Sequence, residues 1–135
     1  MGLVRTSILI SNPRRSDLHP IEVDALVDTG APHLCIPQHI ALQLDLAELE
    51  KREVTIADGS KQIVAYVGPI RTSFRNRSCY TGGMVLSDEV LLGTIPMDDM
   101  DLVVLPAGRV VVPNPLNPNI PASVAMSARE QSGSR

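Results

Sequence analysis

Aromatic residues, cysteines and positive charge are all scarce in this chain, and each scarcity excludes a class of protein. Only 2% of the 135 residues are aromatic and none is tryptophan, so stacking surfaces for bases or sugars are few and the core must be aliphatic. Two cysteines, Cys35 and Cys79, cannot form a disulfide framework, and we expect two buried, reduced thiols. Lys+Arg total 12 against 15 for Asp+Glu, and the net charge of -3 disfavours a nucleic-acid partner.

Long apolar runs are missing as well. No run approaches the roughly 18 residues that a membrane-spanning helix needs. Near the N-terminus, Arg5 interrupts the apolar residues that a secretory signal would require. We therefore predict a cytoplasmic protein with no membrane partner.

Hydrophobic residues nonetheless make up 44% of the chain, enough for one self-sufficient domain. Prolines mark its expected end, because their spacing in residues 113–121 blocks both a helix and a central strand. We predict a folded domain over residues 1–113 and a Pro-rich tail over 114–135 that is extended and, at its end, disordered.

Short β-branched segments separated by turn signals dominate residues 1–113 and predict an all-β fold, a small barrel or a sandwich. The predicted strands are Val4–Ile10, Ile21–Val27, Leu34–Ile36, Arg52–Ala57, Gln62–Ile70, Arg71–Phe74, Cys79–Leu86, Val90–Leu92, Leu102–Leu105 and Arg109–Val112. Two short helices are predicted, one from Pro37 to about Leu44 and one over residues 95–100. Ile40, Ala41 and Leu44 have the spacing of the core-facing side of the first helix.

The tetrapeptide Asp28-Thr29-Gly30-Ala31 directly follows a predicted buried strand. An ionised carboxylate is costly to desolvate, so it has no easy structural role next to a core. Gly30 lets the chain fold back sharply, and the hydroxyl of Thr29 can hold that turn. Taken alone, however, the tripeptide Asp-Thr-Gly is better explained as an ordinary turn at the end of a strand.

Three elements together resemble the retropepsin-like aspartic proteases, the single-domain relatives of pepsin. The first is Leu26-Val27-Asp28-Thr29-Gly30-Ala31, followed by the short strand Leu34-Cys35-Ile36. The second is Leu91-Leu92-Gly93, followed by a short helix. The third is the hairpin Val54–Val64, with the strong turn signal Asp58-Gly59, at the place of the family's flap over the substrate. The resemblance covers about residues 4–112, with the elements in the family's order.

This resemblance implies a small closed acid-protease barrel with one or two short helices, assembled as a two-fold homodimer. It makes Asp28 the catalytic residue, supported by Thr29, Gly30 and Ala31. The implied partners are a second copy of the chain and a peptide or protein substrate, and neither a metal nor an organic cofactor is needed. Two roles are then open for the tail: contact with the partner subunit, or removal by self-processing at Val112-Pro113.

The resemblance also assigns two further groups of site residues. Ala57, Asp58, Gly59 and Ser60 would form the flap over the substrate. Leu92 and Gly93 would form a second loop behind the catalytic one.

Hydrolysis of a peptide bond by carboxylates alone requires two of them that share one proton, one as the base for a water and one as the acid for the carbonyl. The chain has one Asp-Thr-Gly and no internal repeat. Activity therefore requires a two-fold dimer with Asp28 opposite its symmetry mate. Ala31 has no hydroxyl to donate to the carboxylate, so we expect a pH optimum of about 5–7 rather than a strongly acidic one.

Two positions depart from the better-known viral members of the family. Pro32 follows Ala31 and holds it out of the helical region, and Thr94 stands where those members usually have an arginine that braces the dimer. A non-catalytic dimerisation or peptide-binding module that retains the fold is therefore the alternative function. A ubiquitin-shuttle-like interaction domain with the same fold is a further one.

Other clusters of chemically active residues carry weaker signals. His33, Cys35 and His39 lack the fourth ligand and the spacing of a zinc site, and we expect a buried thiol beside a helix start. Asp98, Asp99 and Asp101 lack the pattern of a calcium loop and are expected to lie near a short helix or to face solvent. Arg71, Arg75 and Arg77 are expected to form a solvated edge around a turn.

Overall fold

The structure is a computed structural model that describes residues 3–124. Within that range the chain forms nine strands and two short helices. The strands are β1 (Arg5–Ser11), β2 (Ile21–Val27), β3 (Leu34–Ile36), β4 (Ala47–Thr55), β5 (Lys61–Phe74), β6 (Arg77–Val85), β7 (Leu91–Leu92), β8 (Leu102–Leu105) and β9 (Val110–Pro113). The helices are α1 (Gln38–Gln43) and α2 (Thr94–Asp99).

Six strands close into a mixed barrel in the order β1-β2-β7-β3-β6-β5. The barrel closes where β1 pairs antiparallel with β5, with Leu9 opposite Ser73. Two of its pairings are parallel, β2 with β7 and β3 with β6. Strand β4 extends the sheet beyond the barrel by pairing with β5, and β8 and β9 form a separate two-stranded sheet. The expected all-β barrel with short helices is thus confirmed.

The barrel interior is aliphatic, as the shortage of aromatic residues predicts. Along β1, Ile8 and Ile10 are buried whereas Leu9 between them is 42% exposed, because successive side chains of a strand point to opposite faces. Phe74 is the aromatic residue of the main core within residues 3–124. Both helices pack onto this core, through Ile40 and Ala41 of α1 and through Met97 of α2.

The two cysteines are free and buried, as predicted. Cys79 lies in the main core, whereas Cys35 belongs to a smaller apolar cluster with Val64 and Met84. Burial raises the pKa of the Cys79 thiol to about 11.

The predicted boundaries differ from the observed ones mainly in the hairpin. Strand β4 begins at Ala47 rather than Arg52 and ends at Thr55. Its first half is exposed and charged, as is usual for an edge strand. It therefore lacks the buried apolar face by which a strand is predicted from sequence. Strand β5 runs unbroken from Lys61 to Phe74, with an irregularity in its pairing to β6 between Val67 and Ile70.

The helices also begin differently from the prediction. Pro37 caps α1 in an extended conformation and is not part of its first turn, because its ψ is 155°. Helix α2 begins at Thr94, one residue earlier than predicted, with Gly93 as its N-cap.

The first part of the predicted tail is attached to the domain. The backbone amide of Asn114 donates to the carbonyl oxygen of Asp101 at 2.9 Å. Further along, the side chain of Asn76 donates to the carbonyl oxygen of Pro118 at 3.0 Å. These bonds join residues 114–118 to the end of α2 and to the β5–β6 turn, whereas residues 125–135 lie outside the described residues.

One of the three arginines expected at a solvated edge is instead buried. Arg77 is 2% exposed and donates through Nη2 to the carbonyl oxygen of Asn117. The expectation was wrong because the residue is covered by a segment 40 positions away in sequence, which no local pattern indicates. Arg71 and Arg75 are exposed, as expected.

No helix within residues 3–124 is long and apolar enough to span a membrane.

Two isoleucines on β5 provide a test of this core. Ile70 is fully buried, whereas Ile63 on the same strand is 60% exposed. We expect Ile70→Ala to lower the free energy of unfolding by about 2–5 kcal/mol because it leaves a cavity. Ile63→Ala, the matched control, should cost about 1 kcal/mol or less. Denaturant unfolding measures both values, and equal losses would contradict the assignment of Ile70 to the barrel interior.

Candidate functional site

Asp28 is positioned by the parallel pairing of β2 with β7. Leu26 lies opposite Leu91 and Val27 opposite Leu92. The ladder continues one residue further, because the backbone amide of Asp28 donates to the carbonyl oxygen of Leu92 at 3.0 Å. The carboxylate therefore emerges at the end of a strand that is held between two neighbours.

The turn after Asp28 orients its carboxylate. The amide of Gly30 donates to Oδ1 of Asp28 at 3.0 Å, and the amide of Ala31 donates to the carbonyl oxygen of Asp28 at 3.2 Å. A Cβ on residue 30 would lie only 3.3 Å from the same Oδ1, so glycine permits this close approach. Asp28 is half-buried, and Thr29 and Gly30 are exposed.

Gly93 lies directly behind this turn. A Cβ there would come within 2.7 Å of the carbonyl oxygen of Ala31, and closer still to that of His33. Because glycine leaves this space free, the first amides of α2 reach the turn. Thr94 donates to the carbonyl oxygen of Ala31 at 2.9 Å, and Ile95 donates to that of Pro32 at 2.8 Å.

The β4–β5 hairpin has the expected tight tip. Gly59 has a φ of 87°, which favours glycine, and its amide donates to the carbonyl oxygen of Ile56 at 2.8 Å. The hydroxyl and the amide of Ser60 donate to Oδ1 of Asp58 at 2.6 Å and 2.8 Å. These hydrogen bonds lower the pKa of Asp58, so the tip carries a negative charge at neutral pH.

A cavity of about 400 Å³ lies between the Asp28 turn and the hairpin. One wall is formed by residues 30–33 and the other by residues 53–55 of β4. Cys35, Met84 and Leu86 line it as well, so much of its surface is apolar. This shape and lining suit an extended peptide with an apolar side chain.

The electrostatics of this region are set by burial. The pKa of His33 is lowered first by burial and then by the charge of Arg52, which favours its neutral form. The pKa of Cys35 is raised by burial and then by the charge of Asp28. Arg52 is stacked over Tyr66, with its guanidinium carbon 3.8 Å from the ring centroid, and His33 meets the same ring edge-on.

The structure therefore brings together one group of the predicted site residues and leaves the other at a distance. Residues 28–31 form one unit with Leu92 and Gly93 through the contacts described above. The hairpin tip, residues 57–60, is exposed and does not line the cavity; the lower part of β4 does so instead.

Sequence reasoning missed several residues of this region. Met84 and Leu86 alternate along one face at the end of β6, a signal that a period-two analysis could have used. The contacts of His33 and Arg52 with Tyr66 left no such signal, because they depend on which strands are neighbours.

The residues weighed as metal ligands do not come together as a site. Within residues 3–124, no group of three or more His, Cys, Asp or Glu side chains could hold a metal ion.

No protein-family model matches the chain, and no curated protein matches it. The interpretation of the site therefore depends on its residues and their geometry.

The close approach at Gly93 can be tested directly. We expect Gly93→Ala to lower the free energy of unfolding by about 1–3 kcal/mol, because the added methyl group would overlap backbone atoms. It should also shift the NMR amide signals of residues 28–31. Gly108→Ala is the control, since a Cβ there would meet its nearest atom at 3.6 Å. A Gly93→Ala protein with unchanged stability and unchanged signals would show that the contact does not hold the turn.

Proposed function

We propose that the chain is an aspartic endopeptidase of the retropepsin-like type, active as a homodimer. The observation that carries this proposal is the Asp28 turn, in which a strand-end carboxylate is oriented by the amide of Gly30 and fixed from behind by Leu92 and α2. The cavity beside it, bounded by a hairpin, gives an extended peptide a place to bind. A carboxylate held in this way can act on a bound water without a metal.

The reaction uses two aspartates, Asp28 from each of two copies. The ionised carboxylate removes a proton from a water, whose oxygen attacks the carbonyl carbon of the peptide bond. The protonated carboxyl gives its proton to the carbonyl oxygen, which forms a neutral diol. When the C–N bond breaks, the departing nitrogen takes a proton from the protonated carboxyl, and one diol hydroxyl gives its proton to the ionised carboxylate. The pair is therefore again singly protonated.

A second copy is needed because one chain does not supply the pair. The acidic residue that lines the cavity is Glu53, which is exposed and lies 3.8 Å from the ammonium group of Lys61. The neutral form of His33 brings no compensating charge, so two nearby aspartates would share a proton. Thr29 and Gly30 are exposed at the turn, beside exposed Ile95, and offer a surface that a second copy can cover.

The alternative is a peptide-binding or dimerisation module with the same groove and no hydrolysis. Pro32 and Thr94, which depart from the viral pattern, are the residues that favour it. Both functions predict peptide binding beside the hairpin, and they differ only in whether Asp28 reacts.

Replacement of Asp28 separates the two functions. At high protein concentration, we expect the wild-type chain to cleave unstructured peptides, with a rate that rises with more than the first power of concentration. Asp28→Asn should lose this activity by at least about a thousandfold, because the shared proton and the base are lost. Asp24→Asn, which removes an exposed carboxylate from the same strand, should cleave like the wild type.

Mass spectrometry of a peptide library measures these rates, and analytical ultracentrifugation gives the oligomeric state. A folded wild-type dimer that binds peptides but cuts none would favour the module. Equal cleavage by wild type and Asp28→Asn would indicate a contaminating protease and contradict the proposal.

The side chain at residue 31 predicts the pH dependence. With no hydroxyl at Ala31 to stabilise the ionised carboxylate, the acidic limb of the kcat/KM profile should place the maximum at about pH 5–7. Ala31→Ser should move that limb to lower pH, because a donated hydrogen bond favours the charged form and lowers its pKa. A wild-type maximum below about pH 3 would contradict this explanation.

A further inference from the structure

Asp101 occupies a backbone position that favours glycine. It follows the C-terminal end of α2, where its amide donates to the carbonyl oxygen of Asp98 at 3.0 Å, and its φ is 53°. This left-handed conformation ends many helices, and glycine adopts it at the lowest cost. Aspartate tolerates this conformation better than most residues because its short side chain can hydrogen-bond to nearby groups.

That side chain binds residues 114–122, which we call the strap. Oδ1 of Asp101 accepts a hydrogen bond from the side chain of Asn114 at 3.1 Å. Oδ2 accepts one from the side chain of Asn117 at 2.9 Å and one from the backbone amide of Ala122 at 3.0 Å. Three donors on one carboxylate lower the pKa of Asp101, with the Ala122 amide as the largest cause and the Asn114 side chain next.

A second anchor lies on the other side of the strap. The buried guanidinium of Arg77 donates to the carbonyl oxygen of Asn117, and Asn76 donates to that of Pro118. Asn76 lies in the turn between β5 and β6, and Arg77 is the first residue of β6. A buried guanidinium without an acceptor is costly, and the strap pairs Nη2 of Arg77 whereas Nε and Nη1 have no hydrogen-bond partner within residues 3–124.

The strap is held by these polar contacts and not by apolar burial. Its two large apolar side chains, Leu116 and Ile120, are 86% and 72% exposed. A cavity of about 540 Å³ lies beside it, lined in part by Asp98, Asp101 and Asn117. Removal of the carboxylate should therefore loosen the strap, which then keeps only its contacts with Arg77 and Asn76 and the backbone hydrogen bond of Asn114.

Helix α2 connects this anchor to the Asp28 turn. The helix has six residues and is about 9 Å long at 1.5 Å per residue. Its C-terminal end is followed by Asp101, and its first two amides donate to the carbonyl oxygens of Ala31 and Pro32. A short rigid element thus has the strap at one end and the candidate catalytic turn at the other.

We propose that Asp101 is a positioning residue for the Asp28 turn, and that it acts by fastening the strap to the end of α2. With the strap bound, α2 is held at both ends and keeps its two hydrogen bonds to the turn. With the strap released, the helix end loosens and the turn loses its support. The effect on catalysis rests on the proposed function, whereas the effect on the turn does not.

Asp101→Gly tests this proposal sharply, because glycine suits the backbone conformation at residue 101 and the substitution removes the carboxylate that binds the strap. Arg109→Gly is the matched control, since Arg109 is exposed and has a φ of 50°. Hydrogen exchange of the full-length chain, followed by NMR, should be about tenfold faster or more in the strap and at the amides of Thr94 and Ile95 in Asp101→Gly. The same amides should exchange at the wild-type rate in Arg109→Gly.

Two further variants protect the test against a folding failure. Asn117→Ala removes one donor to Asp101 and should produce the same pattern more weakly. The exchanged pair Asp101→Asn with Asn117→Asp restores an amide–carboxylate hydrogen bond in the opposite sense and should recover part of the lost protection. Faster hydrogen exchange in the strap with unchanged exchange rates at Thr94 and Ile95 would overturn the proposal. Unchanged exchange rates in the strap itself would overturn it as well.

Kinetics distinguishes this proposal from the proposed function. If the wild-type chain cleaves peptides, Asp101→Gly should lower kcat about tenfold and change KM less, because the turn that carries Asp28 loses support whereas the cavity wall formed by residues 53–55 does not. An unchanged kcat would overturn the positioning role. If the wild-type chain cleaves nothing, the proposed function fails, and the exchange rates at Thr94 and Ile95 still decide whether Asp101 supports the turn.

Discussion

The whole candidate site depends on the close backbone contact at Gly93. At this point the chain passes behind the Asp28 turn with no room for a Cβ, so strand β7 and helix α2 both reach the turn with backbone groups. Backbone hydrogen bonds place the turn with little conformational freedom. The carboxylate is thus oriented before any ligand arrives, and binding energy need not be used to order it.

The elements that could be predicted from the sequence are those with a local signal. Short β-branched segments and the Asp58-Gly59 turn predicted the barrel strands and the hairpin, and the Asp-Thr-Gly-Ala pattern pointed to the turn that the structure forms. The charged first half of β4 was missed, because an exposed edge strand has no apolar face to reveal it.

Contacts between residues far apart in sequence could not be predicted in the same way. Arg77 and Asn117 are 40 positions apart, and nothing near either residue indicates that one covers the other. The strap also looked like a linker, because its prolines and asparagines are the residues that linkers favour. Its conformation is fixed by a carboxylate and a guanidinium of the folded domain. Both groups lie too far from the strap in sequence for a local pattern to include them.

The two free thiols give the molecule a pair of internal reporters in different places. Cys35 lines the groove beside the hairpin, whereas Cys79 on β6 is part of the main core. Burial raises the pKa of Cys79 to about 11, so little of its reactive thiolate is present at pH 8, and burial slows its alkylation further. Modification at Cys79 therefore reports opening of the barrel, and modification at Cys35 reports access to the groove. Mass spectrometry of one native sample can follow both events without any introduced label.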